Sequence, residues 1–295
     1  MSDRFPAPCL PAPMAKARRR PVSLLVCLLG GLSMLTGCAK QPPSSSGSIV
    51  LSGKRLVVTL PFRGRINPAF HYYFLINYDT SQGTAIGIGN QNSPGPVPVL
   101  GPNSTNQGYG NGFATGPNGV GGFTDFVRFE GSSYRLFHVV GDPTARHFID
   151  ENLPVSVTLP NSDVGNPNVL QFEIDLAQLV VDANGASLNN PTMTVDIANK
   201  IRFLQVNVVA TDVVPVDQPT SVIKQVDSLG NNQVPGSTSY LNLDVRDIRA
   251  YTNGDAIGLG SSEPGSNDVY TSGLGGVGDE SLDLLDSYRI AVTRQ

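Results

Sequence analysis

The residues of this chain best suited to chemistry are acids near its C-terminus. Asp279, Glu280 and Asp283, with Asp286 just beyond and Asp255 and Asp268 upstream, place oxygen donors in a glycine-rich stretch. Calcium takes roughly six to eight such oxygens. The EF-hand spacing is absent, so two readings stand: a calcium site on Asp279, Glu280 and Asp283, or a solvated acidic loop that leads into the last strand. Directly before these acids, Gly273-Leu274-Gly275-Gly276-Val277-Gly278 spells G-x-G-x-x-G. A dinucleotide site needs that motif between a parallel strand and a helix. Here Thr271-Ser272 precede it and acids follow, so a flexible loop is the expectation.

Other candidates thin out in the same way. Glu173 and Asp175 stand at i and i+2 of a strand-like run, which puts them roughly 7 Å apart on one face. Glycoside hydrolysis requires two carboxylates at about such a distance, yet two solvated acids on an exposed strand face are not an acid/base couple. The histidines are His71, His138 and His147. His138 alternates with Leu136 and Val140 and is expected to be partly buried on a strand. His71 begins a strand, and His147 follows Asp142 and Arg146 in a loop. Neither an H-x-x-x-H pair nor a G-x-S-x-G elbow occurs. No catalytic residue is assigned, and the chain reads as non-enzymatic, with an exported polysaccharide-active hydrolase as the alternative. Tyr72, Tyr73, Tyr78, Tyr109, Phe113 and Phe123 cluster around a glycine-rich segment. Tyrosines set among Gly and Asn make adaptable contact surfaces, so Tyr109, Phe113 and Phe123, within Asn106–Phe123, are the candidate binding residues for a glycan or an envelope protein. Aromatic packing at strand edges is the competing account.

The elements that must position these residues are strands. Leu56, Val58, Leu60 and Phe62 fall on one face of a strand, as do Tyr72, Phe74, Ile76 and Tyr78, since side chains two apart share a face. Phe123 to Glu130 and Ser133 to Val140 flank Gly131-Ser132, a hairpin signal. Leu170, Phe172, Ile174 and Leu176 point one way and Gln171, Glu173 and Asp175 the other, with a short helical turn expected over Asp175 to Val180. Asp182-Ala183-Asn184-Gly185 has the chemistry of a turn. Val195-Asp196-Ile197, Ile201 to Ala210, Tyr240 to Tyr251 (Leu241, Leu243 and Val245 inward) and finally Tyr288, Ile290 and Val292 continue the series. Ser81 to Gly122 and Asn253 to Glu280 are dense in Gly, Asn and Pro. Short strands are expected in the first around Ala85–Ile88 and Val97–Leu100, with ordered loops for the rest. The fold class that follows is all-β: a two-sheet, jelly-roll-like β-sandwich with long loops and roughly 10–14 strands.

Composition agrees with that class and excludes others. Charged residues are 15% of the chain, and glycine and proline number 32 and 23, few charges and many turn formers by the usual standard. The three cysteines, Cys9, Cys27 and Cys38, all lie in the first 38 residues. Residues 39–295 therefore have no disulfide, thiolate nucleophile or cysteine-ligated metal, and a domain over residues 49–295 must hold together by its core. Setting aside Arg4, Lys16, Arg18, Arg19, Arg20 and Asp3 leaves 15 basic and 23 acidic residues. That sign opposes nucleic acid and anionic lipid surfaces, both of which need a basic footprint.

The N-terminus carries a separate signal. Lys16, Arg18, Arg19 and Arg20 precede an apolar run from Pro21 to Thr36 that ends in Leu35-Thr36-Gly37-Cys38. Charge, apolar core and small residues in that order form a secretory pattern. As a helix the run would reach about 24 Å, short of a bilayer core of about 30 Å. A plain signal peptide and an uncleaved anchor remain the other readings. Pro21-Val22-Ser23 departs from the continuation that a twin-arginine signal wants. Met14 begins an ordinary signal n-region, so translation is expected to start there.

Leu35-Thr36-Gly37-Cys38 resembles the lipobox of bacterial lipoproteins. The resemblance implies cleavage before Cys38, lipid on its sulfur and new amino group, and anchorage on the outer side of a membrane. Two acyl chains already hold a protein stably to a bilayer. Ala39 stands where inner-membrane retention favours aspartate, which by analogy implies the outer membrane. The chain is thus expected to comprise a signal peptide over 1–37, a lipidated Cys38 with a polar tether over 38–48, and one sandwich over 49–295.

Within that last part, His71 to Asp79, Gly95-Pro96-Val97-Pro98-Val99, Gly110-Asn111-Gly112-Phe113 and Phe123-Thr124-Asp125-Phe126-Val127 resemble a group of uncharacterised exported bacterial proteins. The aromatic strand ending in Asp79, together with Phe172-Glu173-Ile174-Asp175-Leu176, is distantly similar to family 9 carbohydrate-binding modules and DOMON-like domains, which implies a β-sandwich. Those modules grip sugar between tryptophans, and this chain has none, so no binding residue carries over.

Overall fold

A computed structural model of the chain describes residues 51–79, 124–140, 147–152, 154–162, 165–182, 184–212, 225–231, 239–258, 262–271 and 277–295. Contacts divide the chain into Met1–Ser48 and Ile49–Gln295, and the fold below is that of the second unit. Tyr109 and Phe113 and the strands expected around Ala85–Ile88 and Val97–Leu100 lie outside the described residues, as do Phe123 and Cys38.

The strands are β1 (Lys54–Pro61), β2 (His71–Asp79), β3 (Asp125–Glu130), β4 (Ser133–Val140), β5 (His147–Asn152), β6 (Ser156–Thr158), β7 (Val169–Asp175), β8 (Phe203–Thr211), β9 (Gln225–Ser228), β10 (Ser239–Asp244), β11 (Ala250–Tyr251), β12 (Ala256–Gly258), β13 (Tyr270–Thr271) and β14 (Arg289–Arg294). They form two antiparallel sheets, neither closed into a barrel. The smaller runs β11-β14-β1-β7-β6. The larger runs β12-β10-β8-β2-β3-β4-β5, and β9 pairs with both β8 and β13. The fold is an all-β two-sheet sandwich.

Alternation decides which residues meet between the sheets. Leu56, Val58 and Leu60 of β1, Leu170, Phe172 and Ile174 of β7, and Ile290 and Val292 of β14 pack in one core with Tyr72, Phe74 and Ile76 of β2, Val127 and Phe129 of β3, and Leu204, Val206 and Val208 of β8. Each such side chain contributes roughly 1.5–3 kcal/mol on burial. Aromatic edges join the layers: Phe74 meets Phe172 at 5.6 Å between ring centroids, and Tyr134 meets Phe172 at 5.5 Å. The β3–β4 hairpin turns at Gly131, whose φ of 64° is a conformation that glycine adopts without steric cost.

Alternation predicts one apolar face for β2 and β3, yet the other face of the larger sheet is buried as well. Tyr73, Leu75, Phe126, Phe137, Val209 and Val226 form a second cluster. In it Phe126 stacks on Phe137 at 4.8 Å, and the Arg128 guanidinium lies 4.7 Å over Phe137. Two other departures have local causes. Val195-Asp196-Ile197 is not strand but part of helix α1 (Pro191–Lys200), started by Pro191 at its first turn and by the Asn190 side chain accepting from the Met193 amide. The run from Tyr240 to Tyr251 is broken after Asp244, whose Oδ1 accepts from the Arg246 amide at 3.0 Å and turns the chain before β11.

Asp175 is the third departure. The strand pattern puts it with Glu173 toward solvent, but it is fully buried. It ends β7 and caps a 3₁₀ turn over Leu176–Leu179, as the sequence led us to expect of that segment. Its Oδ1 accepts from the Ser52 amide (2.8 Å), the Ser52 hydroxyl (2.7 Å) and the Ala177 amide (2.8 Å), and Oδ2 accepts from the Gly53 amide at 3.3 Å. Hydrogen bonds to the charged form outweigh an exposed orientation here. Asp175→Ala should therefore lower unfolding free energy in urea by about 3 kcal/mol, since it strips buried donors of a charged acceptor. Asp175→Asn, which keeps one acceptor in place, should lose less.

His71, the first residue of β2, is nearly buried, with Nδ1 3.6 Å from Glu130 Oε1. Burial holds its pKa below the usual 6.5. Glu130 and Asp212 oppose that shift and Arg128 adds to it. The folded chain thus keeps this imidazole neutral further into acid than the unfolded chain does. Its contribution to stability is complete above about pH 6.5 and is lost as pH falls below that value. His71→Gln should flatten the stability profile between about pH 5 and 7, measured as urea midpoints across that range.

Candidate metal centre

Four acids from three separate stretches of the chain meet in the buried interior. Asp227 lies on β9, Glu263 follows β12, Asp268 precedes β13, and Asp283 lies in the segment leading to β14. One carboxylate oxygen from each falls within 4.8 Å of those from the other three. All four residues are buried, none more than 3% exposed.

Apolar neighbours carry these acids inward. Val226 precedes Asp227 and Leu229 follows it closely, Val269 follows Asp268, and Leu282 and Leu284 bracket Asp283, every one of them buried. Gly278 permits the close approach of two of these segments: a Cβ there would lie 2.4 Å from the Val269 side chain. Phe62 bridges to Leu284, while the Arg63 amide donates to the Asp283 carbonyl at 2.9 Å. The end of β1 thereby fixes the Asp283 backbone.

Backbone amides then aim the carboxylates. Asp227 Oδ2 accepts from the Leu284 amide at 2.7 Å and Oδ1 from the Ser228 amide at 2.9 Å. Glu263 Oε2 accepts from the Gly230 amide at 3.0 Å, and its backbone is clamped on both sides by the Asn253 side chain at 2.7 and 2.9 Å. The other oxygen, Glu263 Oε1, is buried without a hydrogen-bond partner. The Tyr288 hydroxyl is likewise buried and unpartnered, and the Glu263 charge helps burial to raise its pKa. Arg63 pairs with Asp283 through Nε and Oδ2 and donates to the Gly265 carbonyl at 3.2 Å.

The electrostatics of this arrangement are severe. At an effective dielectric of about 20, two carboxylates this close repel by about 3 kcal/mol. Summed over every pair among four ionised groups, the repulsion would exceed the typical net stability of a domain, about 5–15 kcal/mol. Protons relieve part of it. Burial pushes Asp227 well above the ordinary carboxylate range, and the charges of Asp268 and Asp283 push it further. Burial, followed by the charges of Asp227, Asp268 and Asp283, does the same to Glu263. Arg63 relieves another part. A cation among the four oxygens would relieve the rest.

This is not the site that acid density in the sequence marked. Asp283 joins it, but Asp279 and Glu280 are exposed, so the structure does not assemble Asp279, Glu280 and Asp283 into one ligand set. Asp279 instead begins a turn, its Oδ1 accepting from the Ser281 amide at 2.9 Å. Asp279 and Glu280 line an open groove of about 610 Å³ together with Arg65, Asn67 and Asn161. Asp268, noted as an upstream donor, does belong. Asp227 and Glu263 were missed. A signal existed for Asp227, an acid set in Val226-Asp227-Ser228-Leu229; Glu263 lies between Ser262 and Pro264, with no comparable mark.

The remaining candidates disperse. His138 is fully buried rather than partly so, with Nδ1 2.5 Å from Asp125 Oδ1. Glu173 pairs with Arg55 at 3.5 Å on the smaller sheet, and Glu130 pairs with Arg128 at 2.9 Å on the larger one. His147 begins β5. Of the G-x-G-x-x-G run only Val277 and Gly278 are described. No family model, curated protein or solved structure matches the chain.

Arg63→Gln should cost about 3 kcal/mol in calcium-free buffer, because it leaves the buried Asp283 charge without its cation. Arg65→Gln is the control: Arg65 is exposed and bonds only through Nε to Asn161 Oδ1 at 2.8 Å among its described contacts. It should stay within about 0.5 kcal/mol of the parent. Chemical unfolding of the three proteins side by side checks both.

Proposed function

We propose that this chain is a lipid-anchored protein of the cell envelope whose β-sandwich serves as a non-enzymatic binding or structural module. The observation that carries the non-enzymatic part is that the converging carboxylates, Asp227, Glu263, Asp268 and Asp283, are buried, while the more accessible Glu130 and Glu173 lie on different sheets. Glu130 pairs with Arg128 on the larger sheet, while Glu173 and Asp175 share Arg55 on the smaller one and Asp175 is buried as a cap, which favours a module over a polysaccharide hydrolase. Anchorage rests on Leu35-Thr36-Gly37-Cys38 after its basic and apolar lead, with the outer membrane as destination. The acidic balance beyond Cys38 argues for a partner other than nucleic acid.

The groove walled by Arg65, Asn67, Asn161, Asp279 and Glu280 supplies amide and charged hydrogen-bonding groups of the kind that a hydroxyl-rich glycan or a polar loop of an envelope protein engages. The contact face expected from the sequence around Asn106–Phe123, outside the described residues, is a second candidate.

Expression of the full chain with a clickable palmitate analogue tests the anchor. Label should appear in the membrane fraction and disappear in Cys38→Ala, and an unlabelled native protein would refute the placement. The module reading is tested by incubating the full chain with envelope polysaccharides. Retention without cleavage supports it, whereas release of new reducing ends would show a hydrolase instead.

A further inference from the structure

We infer that Asp227, Glu263, Asp268 and Asp283 form a buried binding site for one calcium ion that staples three separate segments of the sandwich together. The inference is independent of the lipid anchor and of any partner. It assigns a ligand to the interior, where the proposed function assigns one to the surface.

The donor set selects the ion. All four groups are carboxylates, hard oxygen donors with no nitrogen or sulfur among them, which suits calcium, magnesium or manganese rather than zinc or copper. Oxygens about 2.3–2.6 Å from a calcium ion lie at most about 5 Å from one another across the shell. The four oxygens here, all within 4.8 Å of one another, fit around a single ion of that size. Magnesium sheds its water reluctantly and usually keeps several molecules of it, an awkward demand where every ligand residue is buried. Two carboxylates binding through both oxygens would complete six contacts.

A cluster of acids alone would be weak ground, but Glu263 adds a separate observation. One of its oxygens is pinned by the Gly230 amide at 3.0 Å, and the other, Oε1, has no hydrogen-bond partner though its residue is only 3% exposed. Buried carboxylate oxygens are ordinarily satisfied. Glu263 is one of the four residues whose carboxylates converge, and a buried carboxylate oxygen left without a donor in such a group is disposed as a ligand is. Neighbouring Tyr288 presents a second buried, unpartnered oxygen.

The placement defines what the ion does. Asp227 belongs to β9, Glu263 and Asp268 to the stretch between β12 and β13, and Asp283 to the lead-in of β14. Within the residues described, these segments meet around the acids, and a shared ion would hold them where charge repulsion otherwise drives them apart. Binding to the folded chain alone raises stability by mass action.

The test uses the full chain in detergent, stripped with a chelator and titrated with calcium chloride, with magnesium chloride as comparator. Calorimetry should give one calcium per chain with a Kd below about 1 mM, with a rise in Tm and at least tenfold weaker binding of magnesium. Asp227→Asn and Glu263→Gln each take a carboxylate out of the ligand set, so each should respond at least tenfold less to calcium than the parent. Asp279→Asn with Glu280→Gln should respond like the parent. No heat and no Tm shift with the parent would overturn the inference, as would an undiminished response in Glu263→Gln or a lost one in Asp279→Asn with Glu280→Gln. Should a variant fold poorly, terbium bound to the parent gives the decision. Tyrosine-sensitised luminescence that calcium displaces supports the site, and its absence counts against it.

Discussion

Two sheets share one apolar layer, and every polar group caught in that layer must find a partner inside it. This constraint governs the molecule. Beyond residue 38 there is no cysteine, so no cross-link relaxes the demand, and the sandwich persists only through the packing of β1, β7 and β14 against β2, β3 and β8. Tyr72 illustrates the rule. It reaches through the core to donate to the Ser281 carbonyl at 3.1 Å while accepting from the Asn67 amide at 3.0 Å, and burial pushes its pKa up to about 12. Tyr134 does the same between the Thr158 carbonyl and the Gln171 amide. Both phenols fill volume; Tyr72 also ties β2 to the connecting segments at Asn67 and Ser281, and Tyr134 ties the larger sheet to β6 and β7 of the smaller.

The buried acids show three ways of meeting that constraint. Asp175 meets it with backbone and hydroxyl donors gathered from Ser52, Gly53 and Ala177. Asp125 meets it with His138, both residues 1% exposed. Asp227, Glu263, Asp268 and Asp283 receive amides and one arginine, yet their shared negative charge exceeds what those donors offset. The imbalance sets them apart from the other two, because a buried charge is tolerated only when compensated. A divalent cation among oxygens that lie within 4.8 Å of one another would supply that compensation.

Much of the fold is legible residue by residue. The inward sets Leu56-Val58-Leu60-Phe62, Leu170-Phe172-Ile174-Leu176 and Tyr288-Ile290-Val292 are all buried as their alternation predicts, and the hairpin at Gly131-Ser132 pairs Glu130 with Ser133. Helix α1 was misread because Val195 and Ile197 mimic a period of two, while the signal that mattered was the cap at Asn190-Pro191. Asp175 was misread because alternation describes a strand's interior and not its last residue, where capping takes over. The site was half legible. Asp283 belongs to a stretch where acids are visibly dense and Asp268 precedes it in the same glycine-rich region, but density measures proximity along the chain. The acids that matter are brought together by pairings as distant as β9 with β8 and Phe62 with Leu284.

By itself the sequence determined what composition and period can carry: a β-rich chain without cross-links after Cys38, an acidic balance, and a basic-then-apolar N-terminal segment, each a property of residues counted or compared with near neighbours. Tertiary structure alone decided that four acids spread over residues 227–283 face one point, that Asp279 and Glu280 do not, and that both faces of β2 and β3 are covered. The reason is geometric. Convergence depends on strand order and on which loops cross which edges, and those follow from the packing of the whole apolar layer rather than from any window of the chain.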